Sequence, residues 1–304
     1  MTRWGSQVAA AAISVALLSG PALADVKVSF RLQGGYARVQ GGDVNRGGQA
    51  LFDWAAVYFA PPVDDLVEGG RKPLHWGHEA SGDLILGLTR RLGVGIGVGW
   101  LRTSRELFDS YMAVHHSQED LAYYVSEGTE LEAFSLRLGL LLTLPIARKV
   151  DITAEAGICG FMKIRYDAVW HVGRHPYISY WEDLYNRIQT KTSQKGVPVG
   201  FWAGAGVEYR LLRKVGLLLE VRGLYARSRR LEGTSTSRPG EWGGILPSFS
   251  EQGKLYYEAD PMLPDAPRVI MVQSSPPAGP GGAPRRAVVD LGGVSFQAGI
   301  RVHL

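Results

Sequence analysis

Gly93-Val94-Gly95-Ile96-Gly97-Val98-Gly99-Trp100 alternates a bulky apolar side chain with no side chain at all. Period two is the period of a β-strand, whose successive residues point to opposite faces. One face of this stretch is greasy and the other is empty.

The same alternation recurs in both directions along the 304-residue chain. Upstream, Val26–Val39 sets Val26, Val28, Phe30, Leu32 and Tyr36 against Lys27, Ser29, Arg31 and Gln33, and Glu79–Arg90 keeps Leu84, Leu86 and Leu88 in phase. Downstream, Thr129–Leu144 opposes Phe134, Leu136, Leu138, Leu140 and Leu142 to Ser135, Arg137, Gly139 and Thr143. Val150–Tyr166 follows, with Ile152, Ala154, Ala156, Ile158, Met162 and Ile164 on the apolar face. Val197–Arg210, Val215–Tyr225 and Val294–Leu304 complete eight strands.

Tight turns join strands two and three at Arg91-Leu92, four and five at Ile146-Ala147-Arg148, and six and seven at Leu212-Arg213-Lys214. The remaining connections, 40–78, 103–128, 167–195 and 231–287, are long and are expected as loops. Turns short on one side and loops long on the other are the pattern of outer-membrane barrels, whose turns are periplasmic and loops extracellular. The expectation is therefore an all-β, antiparallel up-and-down transmembrane β-barrel of eight strands. Ten is the alternative, because Leu51–Phe59 and Leu255–Tyr257 are short apolar pieces that extend strands or form loop hairpins. The Pro/Gly-rich run from Pro276 to Pro284 cannot continue a sheet.

A soluble eight-stranded barrel with its apolar face inward shares this pattern. Three features favour the opposite orientation. Glycine crowds the polar face at Gly93–Gly99 and Gly200–Gly206, which makes room in a narrow lumen for long side chains from neighbouring strands. Aromatic residues (Tyr36, Trp100, Phe134, Tyr166, Phe201 and Tyr225) stand at the last apolar position before the long connections, as an interfacial girdle does. The polar face also carries Arg31, Arg137, Glu155, Glu208, Glu220, Arg222 and Arg301, charges of both signs that can neutralise one another inside as an ion-pair network plugging the lumen.

At the N-terminus, Arg3 precedes an uncharged run from Val8 to Leu18 and Ala22-Leu23-Ala24 before Asp25, which reads as a signal peptide over 1–24 with the barrel over 25–304. The run is too short for a membrane anchor, and the cleavage point has no Cys for lipid attachment. Arg3 is the only charge in this segment, so the rest of the chain carries about +3, one less than the +4 of the whole. The charge is spread evenly, so nucleic acid is not an expected partner. Cys159 is the single cysteine, which excludes an intramolecular disulfide, and no Cys/His cluster has zinc spacing. No metal and no cofactor are expected.

With these residues in view, the chain resembles the small eight-stranded outer-membrane barrels, the superfamily of the transmembrane domain of outer membrane protein A and its porin-like relatives. The resemblance lies in architecture rather than in an invariant motif. It implies a Gram-negative outer-membrane location, contact with membrane lipid and lipopolysaccharide, and recognition of the last strand (Phe296, Ile300, Val302, Leu304) by the barrel assembly machinery. Terminal Leu304 departs from the aromatic residue the family commonly has there.

Catalytic constellations are sparse. A lipid-modifying enzyme needs His, Ser and an acid together at the outer rim, and His171 and His175 near Glu182 and Asp183 lack a Ser partner; His303 lies at the opposite rim. An omptin-like protease needs paired Asp and His, for which His115, His116, Glu119 and Asp120 are the one cluster, the same four residues that could hold a metal ion. The function expected is non-enzymatic: a structural, surface-interacting barrel presenting its loops, including Tyr177–Trp181, to an extracellular ligand. A narrow porin-like channel for small solutes or ions is the alternative, and a lipid-modifying enzyme or protease ranks third.

Overall fold

The computed structural model describes residues 27–59, 66–116, 121–176, 184–241, 243–258, 269–276 and 285–304. The expected signal peptide, the Tyr177–Trp181 segment and most of the Pro/Gly run lie outside the described residues, as do Glu119, Asp120, Glu182 and Asp183.

The described residues form sixteen strands and one helix: β1 (Lys27–Val39), α1 (Asp43–Phe59), β2 (Leu66–Gly70), β3 (Trp76–Gly87), β4 (Leu92–His116), β5 (Leu121–Ala147), β6 (Val150–Pro176), β7 (Leu184–Gln194), β8 (Val199–Leu212), β9 (Val215–Tyr225), β10 (Arg227–Ser228), β11 (Leu231–Pro239), β12 (Phe249–Glu258), β13 (Val269–Gln273), β14 (Arg285–Arg286), β15 (Val289–Asp290) and β16 (Gly293–His303). Every strand pairing is antiparallel.

Hydrogen bonding closes a ring through eight of these strands. β1 pairs with β3, β3 with β4, β4 with β5, β5 with β6, β6 with β8, β8 with β9, β9 with β16, and β16 returns to β1. A closed ring leaves no unpaired edge, so every strand's backbone groups are satisfied within the sheet. Tight turns lie at Leu88–Arg91, Arg148-Lys149 and Arg213-Lys214, and the Leu304 amide donates to the Val28 carbonyl, so both described ends of the chain are at the turn end of the ring.

Beyond the ring, at the end away from the turns, β4, β5 and β6 continue upward. β6 exchanges its partner: its lower half pairs with β8 and its upper half with β7, which leads on to β11, β12 and β13. This outer sheet and helix α1 occupy the segments expected as loops, which corrects that expectation. Residues 103–128 are the upper part of the β4–β5 hairpin, 167–195 hold the top of β6 and β7, 231–287 hold β11 to β14, and 40–78 hold α1 and β2. Leu51–Phe59 is helix rather than strand. Val44, Gly48, Phe52 and Ala55 recur at helical spacing and are buried. Gly47 lets the helix approach Ile270 so closely that a Cβ would sit 2.8 Å from it.

One phase assignment is also overturned. In β5–β6, Phe134 pairs with Lys163 and Ser135 with Phe161, so Met162 is an extra residue, a β-bulge. A one-residue slip transfers everything beyond it to the other face. Ile164 and Tyr166 are therefore fully buried, and Lys163 and Arg165 exposed, the reverse of the expected assignment.

Candidate functional site

Below the bulge the ring is apolar outside and polar inside. Phe30, Leu32, Leu84, Ile96, Val98, Leu136, Leu138, Leu140, Ile158, Val207, Leu219, Val221 and Ile300 are exposed, Leu219 at 67%. Ser29, Arg31, Gln33, Asp83, Arg137, Asp151, Thr153, Glu155, Glu208, Glu220, Arg222 and Gln297 are buried. In water this arrangement leaves the greasy rows uncompensated.

The apolar band has chemical edges. At its lower edge the turns present Arg90, Arg91, Arg148, Lys149, Arg213 and Lys214, all exposed. At its upper edge Trp100 donates through Nε1 to Glu132 at 3.1 Å, and the outward face turns ionic: Arg102 meets Glu130 at 3.1 Å, and Lys163 meets Glu132 at 3.3 Å. Of the six expected girdle residues, Tyr36, Phe134, Phe201 and Tyr225 are exposed near this edge and Trp100 is half-buried there. Tyr166 is not on the surface: the bulge turns it into the core, where burial and the nearby Glu127 push its hydroxyl pKa up. On the last strand Phe296, Ile300 and Leu304 are exposed and Val302 is half-buried.

Inside the ring the seven expected charges fall into two tiers. In the larger, Arg31 reaches Asp83 (2.9 Å), Glu155 (2.8 Å) and Glu220 (3.2 Å). Arg222 reaches Glu220 (2.8 Å), Glu155 (3.0 Å) and Glu79 (3.5 Å), and Arg137 reaches Asp83 at 2.9 Å. Gln33 donates to Glu220 at 2.8 Å and accepts from Arg222 at 3.1 Å. The smaller tier, nearer the turns, joins Glu208 to Arg301 at 3.2 Å and to His303 at 2.9 Å. Below it, Asp151 accepts from Arg210 at 2.6 Å.

The sequence reading missed Glu79, Asp83 and Asp151 as members. Asp83 was detectable, since it alternates with Leu84 and Leu86. Trp202, on the polar face, is buried in the lumen with the guanidinium carbons of Arg222 and Arg137 at 5.1 and 5.7 Å from the centre of its ring, and donates to the Ile158 carbonyl at 3.3 Å. The inward glycines make this crowding possible. A Cβ on Gly139 would sit 2.5 Å from Trp202, and one on Gly97 would sit 1.9 Å from an Asp83 oxygen. Two cavities remain beside Trp202, of about 30 and 10 Å³, room for one or two waters. Cys159 is buried beside the upper one.

Above the bulge the core becomes ordinary. Met112, Val114, Val125, Leu131, Ile164, Ala168, Trp170, Val172, Ile270 and Val272 are buried in one cluster with Phe52 of α1. Arg71 binds Glu127 through Nε and Nη2 and donates to the Asn45 carbonyl at 2.9 Å, so a buried ion pair ties α1 to β5.

Of the candidate catalytic residues, His115, His171 and His303 have described side chains, and each meets a different neighbour. His171 packs against Tyr185 at 5.0 Å, and burial together with neighbouring Arg187 lowers its pKa. His115 approaches Glu68 at 3.8 Å, while the side chains of His116 and His175 lie outside the described residues. His303 is held by Glu208 at the turn end. Among the described residues no three His, Cys, Asp or Glu side chains are grouped to hold a metal ion.

No protein-family model matches the chain. No curated protein matches it in sequence. Among solved structures it is similar to a major outer membrane protein from Thermus thermophilus, at 13% identity over 92% of this chain and 99% of that one, with a TM-score of 0.37.

Proposed function

We propose that the chain is an outer-membrane β-barrel: the eight-stranded ring spans the bilayer, ion pairs and Trp202 close its lumen, and the outer sheet with α1 is held above the membrane as a surface for interaction. The observation that carries this reading is the inverted polarity of the ring, with rows of Leu, Val, Ile and Phe facing outward over charged residues facing inward. In hydrocarbon the outward rows are favourable and the closed hydrogen bonding is required. The charged edges above and below the band mark where water begins on each side.

A closed lumen favours the structural role over the channel. The arginines and carboxylates of the larger tier pair with one another across the ring, leaving Nε of Arg137 and Nη1 of Arg222 without a hydrogen bond, and the space left beside Trp202 is water-sized. The signal peptide over 1–24 and the last strand as assembly signal belong to the same reading. N-terminal sequencing of protein recovered from the envelope is expected to begin at Asp25.

The decisive test is refolding into detergent or lipid vesicles, gel mobility with and without boiling, then planar-bilayer recording. The expected result is a heat-modifiable, detergent-dependent protein that is electrically silent. Free solubility without detergent overturns the membrane reading. A steady open level in the native protein overturns the closed lumen and makes the channel the better assignment.

A further inference from the structure

Between the start of α1 and the short β10–β15 pair lies a cleft of about 490 Å³ into which five arginines converge: Arg46, Arg227, Arg229, Arg285 and Arg286. Among the described residues only two carboxylates share it, and both are already engaged. Asp43 is bound by the Arg285 fork, with Nη2 at 2.8 Å, and accepts the Val288 amide at 2.7 Å. Asp290 accepts Nε of Arg227 at 2.8 Å and the Gly292 amide at 2.8 Å. Arg46 comes no nearer than 3.9 Å to Asp43, with its side chain 71% exposed. Arg229 and Arg286 have no carboxylate partner among the described residues.

The paired arginines are also fixed in place. Arg285 lies 4.7 Å from the centre of the Tyr257 ring, and Arg227 lies 5.2 Å from that of Tyr225. Fixed guanidiniums lose little freedom on meeting an anion, and their planar forks match phosphate oxygens. The amides of Asp43, Val44 and Arg46 already donate to carbonyls, so the attraction comes from side chains rather than from the helix end.

We propose that this cleft binds a phosphate monoester. Its position suits a lipid-borne one: Arg227 follows two residues after Tyr225, whose ring is exposed at the upper edge of the apolar band, which is about 7 Å along a strand. That is headgroup height. The source of the ligand rests on the membrane reading; the site itself does not.

The test is calorimetric titration of the full refolded chain in zwitterionic micelles with inorganic phosphate, beside binding to phosphatidylcholine vesicles that contain lipid A or its dephosphorylated form. The double variant Arg229→Gln/Arg286→Gln removes cations that hold no carboxylate among the described residues, and Lys191→Gln/Arg238→Gln removes the same charge from the exposed face of the outer sheet. The expected result is saturable phosphate binding, weakened at least tenfold by the first variant and unchanged by the second. A tenfold fall on dephosphorylating the glycolipid identifies a lipid-borne ester; phosphate saturation without that fall identifies a soluble one, and both uphold the site. Absence of saturation, or equal weakening by both variants, overturns it. If the chain proves soluble without detergent, the phosphate titration still reads the cleft, so the two proposals fail separately.

Discussion

Strands β5 and β6 pass through two regions built on opposite rules. In their lower halves Leu136, Leu138, Leu140 and Ile158 face outward while Arg137 and Glu155 face inward; in their upper halves Leu131, Ile164, Tyr166 and Trp170 face inward while Glu130, Lys163 and Arg165 face outward or lie at the rim. The two strands make the change differently. β5 keeps its phase and changes its residues, Phe134 giving way to Glu132 on the outside and Ser135 to Ala133 on the inside. β6 keeps alternating in sequence and changes its phase, through the bulge at Met162. A strand can thus reverse which of its faces is polar by composition or by geometry.

The largest expected effects come from removing one member of a buried ion pair, because the partners left behind stay desolvated and uncompensated. Arg31→Met leaves Asp83, Glu155 and Glu220 facing one another and is expected to lower the stability of the ring by about 3–5 kcal/mol, read from denaturant unfolding in vesicles. Arg71→Met orphans Glu127 at a similar cost of about 3–5 kcal/mol, but confined to the outer region. Hydrogen exchange is expected to show α1 and the top of β5 loosened with the ring intact. Simultaneous loss of both regions would show them to be one cooperative unit.

Next in size, Leu219→Arg at mid-height on the outer face of the ring is expected to cost about 2–4 kcal/mol in a bilayer. Arg238→Leu on the exposed face of the outer sheet is expected to stay within about 0.5 kcal/mol. Equal costs at the two places would count against the proposed contrast between a lipid-facing ring and a water-facing outer sheet. Gly97→Ala is smaller still, about 1–3 kcal/mol for overpacking against Asp83.

The smallest effect is a pH dependence of the outer region. Burial and Arg187 hold the pKa of His171 below its ordinary value, near 6.5 in an unfolded chain. The unfolded form therefore takes up the proton more readily, so the contribution to stability is present above about pH 6.5 and is lost as the pH falls. Amide protection in β6 and β7 is expected to drop between about pH 7 and 5, with His171→Gln flattening the trend and the ring unaffected.

Much of the ring is readable from the chain because a strand with one apolar and one polar face must alternate strictly. The outer region has no such constraint. β7 and β11 turn Asn186, Thr190, Thr192, Ser235 and Ser237 inward, where Thr190 bonds Ser235 at 2.6 Å, Asn186 donates to Ser237 at 3.0 Å and Thr192 donates to the Tyr166 carbonyl at 2.9 Å. A core stitched by small hydroxyls shows no greasy rhythm, so these segments read as loops. The slip in β6 left one trace, the adjacent apolar pair Phe161-Met162, but the run Met162-Lys163-Ile164-Arg165-Tyr166 resumes a faultless alternation that conceals it.

By itself the sequence determined the local facts of the ring below the bulge: which stretches there are strands, which of their side chains share a face, and where the tight turns fall, all consequences of a two-residue repeat written in neighbouring positions. Only the tertiary structure decided which carboxylate meets which arginine across the lumen, that β6 trades β8 for β7 halfway up, and that five arginines separated by up to 240 positions gather in one cleft. Those outcomes depend on ring closure and register between distant strands, and no repeat within a single strand encodes them.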